Sequence, residues 1–90
     1  MIVEWDDEKA KTNKRKHPGV TFQEASSVFD DPLALTIDDP DHSVSEHRFL
    51  TIGESEFGRL LIVSYTERKG IIHIISARKP TRKERRDYEG

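Results

Sequence analysis

The order of apolar and polar positions changes character near residue 32. Before it, residues 6–17, "DDEKAKTNKRKH", hold a single apolar side chain, Ala10, inside a polar run. Helix chemistry is nonetheless present. Asp6 or Asp7 supplies a cap, acids fill the first turn and bases the last, as the helix dipole favours, and Pro18-Gly19 stops it. Trp5 and Val20 are then the expected anchors of its two ends. A second helix is predicted over 21–29, where Thr21 and Glu24 form a capping box and Phe22, Ala25, Val28 and Phe29 recur at helical spacing. Asp31-Pro32 ends it.

After residue 32 the period shortens. "LALTI", "RFLTIG", "GRLLIVSYTE" and "GIIHIISA" are β-rich runs separated by "DDPDHSVSE", "ESEFG" and "RKG". Separators this short join antiparallel neighbours, the last in a tight turn with Gly70. The final two runs are apolar on both faces, which predicts central strands covered on each side. "TRKERRDYE" closes the chain as a helix over about 81–88, with Pro80 before it and a capping box in Thr81 and Glu84. The expected fold is α+β: two N-terminal helices on one face of a four-stranded antiparallel meander over about 33–78, then a short C-terminal helix. At 90 residues the chain is expected to form one domain, 1–90.

Composition narrows the chemistry. Without cysteine there are no disulfides and no thiolate metal sites. No apolar run nears the roughly 20 residues of a membrane span, and Met1 leads into "IVEWDDEKAK" without a signal-peptide pattern, so a soluble cytoplasmic protein is expected. His17, His42, His47 and His73 show no paired ligand spacing, and "DDPDHS" lacks the EF-hand pattern, so no metal or other cofactor is expected.

Net charge is only −2, but it is segregated. Residues 1–8 hold four acids and no base, 9–16 five bases and no acid, and 17–47 seven acids with no Lys or Arg. From Arg48 onward ten bases face six acids, and six of the nine residues from Arg78 to Arg86 are Lys or Arg. Such a pattern can build a positive field on one side of a small domain. For the 9–16 run, a solvated helix face explains the charge as well as function does.

"EWDxxKAxxNxxKH" running into "GVTFQEASSVFDDPLALTI", then "EHRFLTIGES", "GRLLIVSYTER" and "IHIISARKPTRKERRDYE" resembles the BrnT toxin family of bacterial type II toxin–antitoxin systems. The resemblance runs from Trp5 to Tyr88, with "KHPGVTFQEA", "VFDDP" and "IISAR" its most specific pieces. It implies a RelE-like fold and a metal-independent endoribonuclease that halts translation. It also implies a BrnA-type antitoxin partner, through which alone operator DNA is reached. Two positions depart from the family pattern: His73 stands where a basic residue is usual, and His47 where an acid is common.

Metal-free RNA cleavage needs a group to take the 2′-hydroxyl proton, cations to stabilise the pentacoordinate phosphate, and an acid for the leaving 5′-oxygen. Arginine suits the middle task through its planar fork, and imidazole suits the proton transfers. The candidate catalytic residues are therefore Arg78, Arg48, His47 and His73. Arg78 ends the last strand and ranks first; pairing with an acid is its structural alternative. Arg48 opens the second strand, and an ion pair with Glu46 or Asp41 is equally compatible with its position. In a regular strand His73 shares a side with Ile75 and Ala77 and points away from Arg78, unless a bulge near Ser76 re-aims the arginine. His47 adjoins Arg48 at a loop exit. Lys79, Arg82, Lys83, Arg85 and Arg86 are the candidate RNA-binding group, since each neutralised phosphate releases counterions. The same patch equally suits an acidic antitoxin segment. Glu84 is assigned to its capping box and Tyr88 to packing the last helix. The competing functions are a non-catalytic toxin fold acting as antitoxin partner and co-repressor, and a general nucleic-acid-binding module.

Overall fold

A computed structural model describes residues 1–39 and 46–90. His42 and the middle of the expected 38–46 connection lie outside them. Among the described residues five strands form one sheet: β1 (Ile2–Trp5), β2 (Leu35–Asp38), β3 (Phe49–Glu54), β4 (Leu60–Arg68) and β5 (Ile71–Arg78), in spatial order β1-β5-β4-β3-β2. Three α-helices of the described residues accompany it: α1 (Asp7–Lys16), α2 (Phe22–Ser26) and α3 (Arg82–Glu89). A 3₁₀ turn, Ser27–Asp30, continues α2.

The four expected strands pair as an antiparallel meander. The expectation of only four is corrected by β1, which adds parallel to β5 with Glu4 opposite His73 and Trp5 opposite Ile74. The sheet is therefore mixed. The second helix is also shorter than expected, because Ser26 and Ser27 turn their hydroxyls onto the carbonyls of Gln23 and Glu24 and the chain tightens into the 3₁₀ turn. Lys69 and Gly70, both with positive φ (51° and 79°), make the two-residue turn between β4 and β5.

The core lies between one face of the sheet and α2. Leu61, Val63 and Tyr65 of β4 and Ile72, Ile74 and Ala77 of β5 meet Val20, Phe22, Ala25 and Val28. Fully burying each large aliphatic contributes about 1.5–3 kcal/mol. Trp5 packs edge-on to Phe22 at 6.1 Å, and Phe29 edge-on to Tyr65 at 4.9 Å. The Tyr65 hydroxyl meets Thr51 at 2.8 Å, which in turn meets the exposed Thr36 at 2.8 Å, so the buried hydroxyls of Thr51 and Tyr65 are satisfied by a row that crosses three strands.

Two acids of the chain's acidic middle serve this frame. Glu24 does not complete the expected capping box: Thr21 accepts from the Glu24 N–H, but the carboxylate is buried and receives Ser55 Oγ at 2.7 Å and Arg59 Nε at 2.7 Å. The Arg59 guanidinium holds this carboxyl below its ordinary range. Asp31 accepts from the N–H groups of Leu33 and Glu54 and from the Tyr88 hydroxyl, tying the 3₁₀ turn to β3 and to α3. Beside it, a Cβ on Gly53 would lie 2.9 Å from Val28 Cγ1, which is why the backbone here must be glycine. Among the described residues no helix is long and apolar enough to cross a membrane.

Candidate nucleic-acid interface

The second face of the sheet carries three of the four catalytic candidates, Arg48, His73 and Arg78. Residues directly opposite each other across a pair of strands point to the same side. His73 stands opposite Thr66, and Arg78 opposite Ile62. Thr66 and Ile62 are both on the non-core side of β4, so His73 and Arg78 share that face. They do so because of a bulge: between Ser64 and Tyr65 the partner on β5 jumps from Ser76 to Ile74, leaving Ile75 extra. This irregularity reverses the alternation expected for an unbroken strand and re-aims Arg78. Four residues of β4 separate the two positions, roughly 13 Å along the strand.

A cleft of about 560 Å³ opens on this face, lined by Glu4, Lys9, Glu46, Arg48, Arg68 and His73 among others. His73 Nδ1 lies 3.7 Å from Glu4 Oε1, its neighbour across the parallel pair, and Arg68 is held by Glu46 at 2.6 Å. A second groove, about 520 Å³, continues from Lys9 and Ile75 to Lys16, His17 and Arg78. A third shares Lys16, His17 and Arg78 with it and adds Lys79 and Thr81. Arg48 and Arg78 thus line different but connected grooves on one face of the sheet.

Arg78 is engaged. Its Nη1 and Nη2 donate to the two carboxylate oxygens of Glu84 at 2.8 and 2.9 Å, a bidentate pair. The same Glu84 oxygen accepts from the Thr81 N–H, completing the capping box that starts α3. With the Arg78 guanidinium as the main cause, the Glu84 carboxyl falls to about 2. Tyr88, one turn further, donates to Asp31 at 3.1 Å, so α3 is tied down on one side at both ends. Its bases, Arg82, Lys83, Arg85 and Arg86, stay exposed, with Lys83 and Arg85 at 3.2 and 4.0 Å from Asp87 and Glu89.

His47 stands apart from the other candidates. Its ring stacks on Phe49 at 4.6 Å, and Phe49 stacks on Tyr65, which belongs to the core face. Its Nε2 meets Asp38 Oδ1 at 3.0 Å. The structure therefore brings Arg48, His73 and Arg78 to one face and leaves His47 on the other. Sequence reasoning missed Glu4, whose position beside His73 depends on the unforeseen β1, and Lys9, whose helix was recognised but not where it docks. Among the described residues no group of three or more His, Asp or Glu side chains is placed to hold a metal ion.

Comparison with known proteins agrees with this architecture. The crystal structure of the Brucella abortus ribonuclease toxin BrnT is similar at a TM-score of 0.67 and 22% identity, over 91% of this chain and 99% of that one. At that identity the likeness concerns the fold. No curated protein sequence matches the chain. The family model described as "Ribonuclease toxin, BrnT, of type II toxin-antitoxin system" matches residues 5–84. A match over that share of the molecule makes the chain a member of the BrnT family of ribonuclease toxins of type II toxin–antitoxin systems.

Proposed function

We propose that the protein is a metal-independent endoribonuclease that halts translation by cutting RNA on the non-core face of its sheet. A BrnA-type antitoxin neutralises it. The observation that carries this reading is the meeting of His73, Arg48, Arg68 and Lys9 in one cleft that continues to Arg78.

The chemistry follows from the donors available. The 2′-oxygen bonds to the adjacent phosphorus as the P–O5′ bond breaks, leaving a 2′,3′-cyclic phosphate and a 5′-hydroxyl. The 2′-proton goes to a base, and a proton from an acid meets the departing 5′-oxygen. His73 is the proton-transfer group, with the Glu4 carboxylate 3.7 Å from its Nδ1. Arg48 and Arg68 are the cations beside it, stabilising charge that grows on the non-bridging oxygens. Arg78, some 13 Å along the sheet, holds a neighbouring phosphate rather than the scissile one. Its fork is shared with Glu84, so it meets the polyanion with its remaining donors. Lys79, Arg82, Lys83, Arg85 and Arg86 extend the positive rim over α3, where RNA and an acidic antitoxin segment would compete.

That bidentate hold on Arg78 also supports a second reading, a binding-only toxin fold that serves as partner and co-repressor of its antitoxin. Inducing the protein in bacteria without its antitoxin separates the two, since a binding-only protein leaves growth and translation unchanged. The enzymatic reading is tested with purified protein in EDTA. RNA is cleaved, and Arg48→Ala and His73→Ala each lower the rate by about 10²-fold or more while remaining folded. Full activity in either folded variant overturns the assigned roles. Cleavage lost in EDTA and restored by Mg²⁺ overturns metal independence.

A further inference from the structure

The run of bases in α1 is divided between two sides of the helix. Lys9, Thr12, Asn13 and Lys16, at spacing i, i+3, i+4 and i+7, line the groove that joins the His73 cleft to Arg78. Lys11 turns instead to Glu8 at 3.6 Å, and Arg15 to the Thr12 hydroxyl at 3.2 Å. Lys14 is not among the groove-lining residues. Neither Lys9 nor Lys16 has a carboxylate within ion-pair distance among the described residues, although Glu8 lies on the same wall. A helix that needed its bases only for solubility has no reason to aim two of them into a channel.

The wall is also fixed in place. Asn13 is buried, and its side chain pairs with both backbone groups of Ala77: Nδ2 donates to the carbonyl at 2.9 Å, and Oδ1 accepts from the N–H at 3.0 Å. β1 pairs with β5 only as far as Ile74, so this amide takes the place of a strand partner where β1 has stopped. It docks α1 against the edge beside the bulge. Lys9 and Lys16 are seven residues apart, about 10 Å along the helix axis. Two ammonium groups at that separation neutralise different phosphates.

We propose that the Lys9–Lys16 face of α1 is a second wall of the RNA site, holding the phosphates that flank the one cleaved at His73. The substrate is then a single strand several nucleotides long, laid along the groove between α1 and β5. The assignment rests on the RNA-cleaving role of the sheet face, and the test distinguishes failure of one from failure of the other.

Full-length Lys9→Gln/Lys16→Gln is compared with Lys11→Gln/Lys14→Gln, which removes equal charge from other parts of the helix. RNA affinity is measured over a salt series with a labelled single-stranded 12-mer. Cleavage of that 12-mer is compared with cleavage of a dinucleotide, which reaches only the His73 cleft. The groove variant is expected to lose about 1.4 from the log–log salt slope, two phosphates at roughly 0.7 each. Its KM for the 12-mer rises about tenfold with kcat little changed, and the longer RNA loses its advantage over the dinucleotide. The Lys11/Lys14 variant keeps the wild-type slope and preference. Equal slopes in the two variants, with wild-type protein binding and cutting RNA normally, overturn the α1 wall alone. So does a groove variant that loses only antitoxin binding, which would assign the face to a protein. Wild-type protein that neither binds nor cuts RNA overturns both readings.

Discussion

Replacing Asn13 with Ala tests how the groove is built, because one side chain closes the exposed edge of β5. Asn13 is 4% exposed and Ala77 fully buried. The substitution strands one N–H and one C=O at once. A buried backbone group without a partner costs about 1–3 kcal/mol, so two cost about 2–6 kcal/mol. Water entering from the adjoining groove offsets part of this, and about 3 kcal/mol is the expected loss. For a chain of this size that is a large fraction of a total stability of about 5–10 kcal/mol. The assay is urea denaturation followed by far-ultraviolet circular dichroism, with the slope m checked for constancy. At about 1 kcal/mol/M, the midpoint falls by roughly 3 M, and Tm falls by roughly 12–24 °C. Lys14→Ala, on the exposed surface of the same helix, stays within about 0.5 kcal/mol of wild type. An Asn13→Ala midpoint equally close to wild type would show that the amide does not carry the edge, and the docking of α1 would need another cause.

Further substitutions probe the rest of the frame. Gly53→Ala places a methyl 2.9 Å from Val28 Cγ1 and 3.0 Å from Ala34 Cβ, and the overpacking lowers stability by about 1–3 kcal/mol in the same urea assay. Glu84 titrates at about 2 in the folded protein against an ordinary 4.5. A depressed folded value adds stability above the ordinary pKa and loses it as pH falls from about 4.5 towards 2, so Glu84→Gln flattens that part of the stability–pH curve. Glu24→Gln lowers the urea midpoint measurably, because the amide keeps one acceptor oxygen but loses the charge that pairs with Arg59 and replaces the other acceptor with an NH2 donor. Lys83→Gln, which removes an exposed pair with Asp87, does not.

Much of the frame was legible in local sequence. Thr81 with Glu84, Lys69-Gly70, and the four β-rich runs act through neighbours a few residues away, and each appears in the structure where its chemistry predicts. β1 was not legible. "IVEW" is only four residues long and precedes a strong helix cap, and its strand character comes from pairing with residues about seventy positions later. Losing β1 hid Glu4 from the site. The Ile75 bulge was foreseeable only as a condition, since "HIISAR" carries no glycine to mark it. Glu24 matched a capping box so well that its partner Arg59, distant in sequence, went unsuspected. His47 next to Arg48 illustrates the commonest trap: adjacent residues at a strand entrance point to opposite faces. Composition gave the amount of basic charge, but only the docking of α1 and the strand order decide which bases face one groove.

In the proposed mechanism Arg48 and His73 act on one RNA phosphate. The most direct measurement is single-turnover cleavage of a defined RNA in EDTA by folded wild-type, Arg48→Ala and His73→Ala proteins, together with the double variant. The expected result is a 2′,3′-cyclic phosphate product, a loss of about 10²-fold or more in each single variant, and a double variant little worse than either. Wild-type rates in both single variants, or losses that simply multiply in the double variant, would contradict it.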